Sequence, residues 1–161
     1  MSMNQIFVTA DTHFGHKKII EFEAAARPFA TIEEHDRALV ERWNATVRTH
    51  DTVWHLGDVY FGTNGHFILA ALNGVKKLVL GNHDHHPLAI YQQYFSRIFG
   101  AAEHAGCILT HVPIHPQQLE RRYRLNLHGH MHSKSMEDPR YVCVSVERTG
   151  LAPMLMRTAM A

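Results

Sequence analysis

Cysteine is nearly absent. Cys107 and Cys143 are the only two among 161 residues, too few for a disulfide framework. Both lie in apolar stretches, which reads as core burial, and a reducing, cytoplasmic location follows as the expectation. No charge of either sign dominates: sixteen Lys and Arg stand against fifteen Asp and Glu, for a net charge of +1. That leaves no electrostatic footprint for a dedicated nucleic-acid-binding or membrane-binding region. No apolar run approaches the roughly 18 residues of a membrane span. The opening residues, MSMNQIFVTADTH, lack the basic-then-apolar pattern of a secretion signal. Hydrophobic residues at 45% and charged residues at 19% fit a globular chain and exclude disorder, collagen-like repeats and coiled coil. The length suits one domain over 1–161, with room for a core but not for a large cap. One residue type is in excess. There are fifteen histidines, and histidine is the commonest metal ligand.

Short β-branched runs alternate with helix-like stretches, without repeats or a dividing linker. Ile6–Ala10, Thr52–Leu56, Lys76–Leu80, Cys107–Thr110, Arg124–Leu127 and Tyr141–Val146 read as strands, with Met154–Arg157 as a last edge strand. Thr31-Ile-Glu-Glu34 is a capping box, and Leu39, Val40, Trp43 and Val47 recur at helical spacing after it, to near Arg48. Asn64 suits the cap of a short helix over Phe67–Leu72, and Pro87 the first turn of a helix through Tyr94. Early alternation followed by consecutive strands predicts an α/β chain: a two-sheet β-sandwich core flanked by helices.

Five of these strands run into residues that bind metals or move protons: Asp11-Thr-His13, Gly57-Asp58, Gly81-Asn-His-Asp84, His111, and His128-Gly-His-Met-His132. Ligands bind in α/β folds at the carboxyl ends of strands, so these residues can share one rim while lying far apart in sequence. Two carboxylates, four histidines and an asparagine supply only nitrogen and oxygen donors. That set suits Mn²⁺, Fe, Zn²⁺, Co²⁺ or Ni²⁺ and argues against a thiolate zinc site. Two divalent ions carry four positive charges, of which Asp11 and Asp58 cancel two and a bridging hydroxide a third, leaving a centre matched to a phosphate anion.

The order Asp-x-His, Gly-Asp, Gly-Asn-His-Asp, His, Gly-His-x-His resembles the calcineurin-like metallophosphoesterases. The strings Asp11–His16, Arg27-Pro-Phe29, Trp43-Asn44 and Leu56-Gly-Asp58 resemble a compact bacterial and phage branch of predicted phosphoesterases. The resemblance implies a four-layer fold and two metal ions, manganese first among the candidates. It implies that Asp11, His13 and His132 hold one ion, that Asn82, His111 and His130 hold the other, and that Asp58 bridges them. It further implies a metal-bridging hydroxide as nucleophile, His83 as the acid assisting the leaving group, and Asp84 orienting His83.

Beside the ligands, Asn82, Arg27 and His16 are candidates to touch substrate. A guanidinium can fork onto phosphate. His85, His86 and His115 suit the mouth of the site, His55 and His128 the layer behind it, and His35, His50, His66 and His104 the surface. The expected activity is hydrolysis of a phosphate ester, with a phosphodiester slightly favoured because no cap is visible. A nuclease or a non-catalytic scaffold on the same fold are the alternatives. A homo-oligomer is compatible with the sequence.

Overall fold

The computed structural model describes residues 4–161. Strands β1 (Ile6–Thr9), β2 (Thr52–His55), β3 (Val75–Val79) and β4 (Arg97–Phe99) run parallel in one sheet. The second sheet holds β5 (Ala102–His104), β6 (Cys107–Thr110), β7 (Leu125–His128) and β8 (Tyr141–Cys143), with only β5 antiparallel. Strand β9 (Met154–Leu155) returns antiparallel to β1 and closes the five-stranded order β4-β3-β2-β1-β9 beside the four-stranded β5-β6-β7-β8.

Side chains alternate across each strand, so neighbours serve two different cores. Phe7, Val53 and Leu78 pack with Leu39, Trp43 and Val47 of the helical layer. Val8, Trp54 and Val79 pack with Cys107, Leu109 and Leu127 of the second sheet. A smaller cluster of Ile108, Leu119 and Tyr141 covers the second sheet's other face. The chain is thus an α/β sandwich of two mixed sheets flanked by helices.

Helix α1 spans Ile19–Phe22, and α2 spans Ile32–Thr46. The Oγ1 of Thr31 accepts the Glu34 N–H at 3.2 Å, and the Glu34 carboxylate accepts the N–H of Ala30, one residue before the cap. Ile32, His35, Leu39 and Trp43 form the buried stripe. Behind it, the Trp43 indole donates to Asn73 O at 3.0 Å, and the Asn44 amide pairs with Ala71 O and Asn73 N–H at 2.8 and 2.9 Å. This clamp fixes the turn that feeds β3.

Several expected elements differ in type or length. The segment after Asn64 is a 3₁₀ helix, Gly65–Ala71, and the helix after Pro87 is one turn, α3 (Leu88–Tyr91). Strand β8 stops at Cys143 because Ser145 turns in toward the β1 end, pairing with Ala10 as an isolated bridge. The last predicted strand splits into β9 and helix α4 (Met156–Ala159). Cys107 is buried as expected, whereas Cys143 is half-buried. No helix among the described residues is long and apolar enough to cross a membrane.

Candidate metal centre

The ends of β1, β2, β3, β6 and β7 meet at one rim. The backbone there is strained in a specific way. Asp11, His13, Asp58, His130 and His132 all have positive φ, between 50° and 66°. Of the described non-glycine residues, only Ala105 and Leu151 share this. Left-handed backbone costs an L-residue roughly 1–2 kcal/mol, so five such residues at one place mark a demand on side-chain direction. Two glycines permit the closeness. A Cβ on Gly81 would strike the Asp58 carboxylate, and one on Gly129 would lie 2.5 Å from Asp11 Oδ2.

Asp11, His13 and His132 bring one donor atom each within 4.8 Å of one another, and so do Asp11, Asp58 and His111. His13 Nε2 lies 3.8 Å from Asp11 Oδ1 and 3.6 Å from Asp58 Oδ2, and Asp58 Oδ2 lies 3.4 Å from His111 Nε2. Asp58 therefore sits between the two histidines. Beyond it, Asn82 Oδ1 is 2.8 Å from His111 Nε2 and 2.9 Å from His130 Nδ1. All seven predicted donors are brought together, in two groups with Asp58 between them.

The donors fit cations. His13 Nε2 is buried, has no hydrogen-bond partner and faces two carboxylates. A buried unsatisfied nitrogen is costly unless something occupies it. Burial pushes the His13 pKa down, favouring the neutral ring with a free lone pair. Burial works against charge on Asp11, but the His13 ring, the fields of His111 and His132 and the Ser145 hydroxyl hold its carboxyl below the usual carboxylate range. Burial likewise opposes charge on Asp58, and His111 outweighs it, keeping this carboxyl low.

Five of the seven donors are held from behind. His111 Nδ1 donates to Leu56 O at 2.7 Å, turning Nε2 toward Asp58. His132 Nδ1 donates to Glu147 Oε1 at 2.8 Å, leaving Nε2 toward Asp11. His13 and His16 share a 3.2 Å contact between their Nδ1 atoms, in which one ring donates and the other accepts, and burial lowers the His16 pKa to about 4. Ser145 and the His130 N–H bind Asp11 Oδ2 at 2.6 and 2.9 Å, and the His83 N–H binds Asp58 Oδ1 at 2.9 Å. Such backing of a ligand fixes its tautomer and direction. Further back, Thr12 Oγ1 bonds His55 Nε2 at 2.9 Å and Val59 O at 2.8 Å, as expected for a histidine behind the site.

Glu147 and Ser145 are not evident from the sequence. They follow the sixth strand of the rim, β8, and only their position after that strand signals them.

Three expectations need correction. Arg27 does not face substrate. Its side chain is fully buried, donates to Glu147 from Nε and Nη2 at 2.8 and 2.6 Å, and donates to the carbonyls of Asp11 and Thr12 at 2.5 and 3.1 Å. It braces the ligand loop from inside. Asp84 does not orient the His83 ring. Its oxygens accept the N–H groups of Asp58, Val59 and Gly81 and the Tyr91 hydroxyl, so the carboxylate knots the β2 and β3 loops together. His35 is not at the surface. It is buried, 2.8 Å from Arg27 Nη1 and 2.8 Å from Asp36 Oδ1. Asn82, His83 and His130 are exposed at the rim, open to a ligand from solvent.

Fold and site define a class: an α/β two-sheet protein with a candidate metal centre of nitrogen and oxygen donors at the strand ends. No protein-family model matches the chain. Uncharacterized protein MJ1445 of Methanocaldococcus jannaschii is 33% identical over 86% of this chain and 75% of its own. The gene 66 protein of Mycobacterium phage L5 is 30% identical over 81% of this chain and 79% of its own. Among solved structures, a protein of unknown function, AQ665 from Aquifex aeolicus, matches with TM-score 0.76 and 26% identity over 97% of both chains. A metallophosphoesterase from Sphaerobacter thermophilus aligns with TM-score 0.45 and 17% identity, over 94% of this chain and 68% of its own. The chain belongs to one family with MJ1445 and the phage gene 66 protein; its ordered motifs and gathered donors are similar to those of the calcineurin-like metallophosphoesterases.

Proposed function

We propose that the protein is a dinuclear metal-dependent phosphoesterase that hydrolyses a P–O bond of a phosphate ester. The observation that carries this is the buried, unpartnered His13 Nε2 facing Asp11 and Asp58, with Asn82, His111 and His130 gathered on the far side of Asp58. Asp11, His13 and His132 would hold one ion, Asn82, His111 and His130 the second, and Asp58 both. When bound, two divalent ions supply Lewis acidity, acidifying water and offsetting phosphate charge. The nitrogen and oxygen donors suit manganese, with iron, zinc, cobalt or nickel as other occupants.

The chain's own residues do the rest. Glu147 and Leu56 O each take the Nδ1 proton of a ligand histidine, so His132 and His111 present Nε2 in fixed directions. Ser145 and the His130 N–H hold one Asp11 oxygen in place. His83 projects from the β3 loop with its backbone tied to Asp58 and its ring exposed, where a ring nitrogen can pass a proton to the departing oxygen. An open rim suits a phosphodiester, whose two substituents need room on both sides of phosphorus.

The test is hydrolysis by apo protein reconstituted with Mn²⁺, using bis(p-nitrophenyl) phosphate and p-nitrophenyl phosphate. Turnover is expected to require metal, to favour the diester and to fall at least about a hundredfold in Asp58→Asn. Activity unaffected by chelation, or equal in Asp58→Asn, contradicts the reading. Metal binding without hydrolysis of any ester favours a scaffold.

A further inference from the structure

From the candidate metal centre a row of aromatic rings runs outward, and the chemistry above does not use its two phenylalanines. His16 stacks on Phe61 with centroids 4.1 Å apart and planes 14° apart. Phe61 in turn stacks on His13 at 5.1 Å and leans on His83 at 5.3 Å. At the outer end Phe22 meets His16 edge-on at 6.3 Å and 67°. The row thus begins at a candidate metal ligand, passes the candidate acid and ends in solvent.

Phe22 is 68% exposed, the most exposed of the large hydrophobic side chains among the described residues. On the same short helix Ile19 is buried at 3%. Helix α1 therefore anchors itself by Ile19 and presents Phe22 outward on the His16 side. His16 and Phe61 are themselves only half-buried. Aromatic surface beside a few convergent polar groups is the usual composition of a ligand site.

We infer that Phe22, His16 and Phe61 form a stacking subsite for a planar aromatic group carried on the phosphorus of the substrate. The inference rests on the phosphoesterase reading and names its substrate class: a small phosphodiester of nucleoside type, with the phosphate at the metal centre and the ring on the row. The commitment to a ring comes from geometry, because the exposed Phe22 ring, set edge-on beside the stacked His16 and Phe61, offers a planar partner a contact that an alkyl group cannot match. The commitment to a small ester is consistent with a net charge of +1, far from the strongly basic balance of a chain that tracks a polynucleotide backbone.

The test is calorimetric binding to the Mn²⁺-loaded protein of thymidine 5′-phosphate and of methyl phosphate, two monoester dianions of which only the first carries a nucleoside. Stacking of a base on an aromatic side chain predicts about tenfold or more tighter binding of the nucleotide. Phe22→Ala is expected to erase most of that difference and Phe22→Tyr to keep it, while methyl phosphate binds all three proteins alike. Methyl phosphate bound, with no gain for the nucleotide or no loss in Phe22→Ala, overturns the subsite and leaves the phosphoesterase reading standing. Failure of the loaded protein to bind either phosphate overturns that reading and the subsite with it.

Discussion

His83→Ala is expected to slow hydrolysis of alkyl-leaving-group phosphodiesters by about 10²–10⁴-fold, the span typical of a lost general acid. The same substitution is expected to slow release of p-nitrophenolate, which departs without a proton, by less than about tenfold. The difference isolates proton transfer from binding. It is measurable because the substitution spares the rest of the site. The tie from His83 to Asp58 is made by its backbone N–H, which alanine retains. The His83 side chain is exposed, so little packing is lost. Metal stoichiometry and melting temperature are therefore expected to stay at wild-type values. Equal losses with both leaving groups would assign His83 to charge stabilisation alone, and no loss with either would remove it from the chemistry.

Arg27→Met is expected to destabilise the fold by about 3–5 kcal/mol, the cost of leaving a buried charge without its partner. Both side chains of the Arg27–Glu147 pair are fully buried. Without the guanidinium, Glu147 keeps the His132 ring, while its Oε2 already has no partner. The carbonyls of Asp11 and Thr12 lose donors as well. At roughly 2–4 °C per kcal/mol for a chain near this size, the melting temperature should fall by about 10 °C. Arg27→Lys is expected to lie between, since an ammonium keeps the charge but cannot fork across Glu147 and two carbonyls. The double variant Arg27→Met/Glu147→Met should recover part of the loss, because an apolar pair leaves no orphaned charge. Denaturant unfolding reads all three. A change below about 1 kcal/mol in Arg27→Met would show that the pair is not a brace.

These two residues also show how far the sequence could be read. His83 was legible because it stands in an ordered series of donor-bearing strand ends, and local order survives folding. The same holds for Asp11, His13, Asp58, Asn82, His111, His130 and His132, each one to four residues past a strand. Arg27 was misread because its partner Glu147 lies 120 positions away, in a turn with no periodic signature. A polar loop beside a proline looks solvated until the chain closes over it. Asp84 was misassigned for a related reason. Adjacency to His83 suggests a pair, whereas its oxygens point back to three backbone N–H groups, an arrangement set by the meeting of two loops. His35 carried a usable signal, since it falls on the stripe with Ile32, Leu39 and Trp43. Strands β4 and β5 escaped notice because three residues cannot establish an alternation.

The most direct test of the account is anomalous diffraction from crystals soaked in Mn²⁺. The account predicts two peaks per chain about 3.5–4 Å apart, the spacing of a cooperating metal pair. One should lie against Asp11, His13 and His132, the other against Asn82, His111 and His130, with the Asp58 carboxylate between them. A single peak, or two peaks that do not share Asp58, would contradict the dinuclear centre on which the proposed function rests.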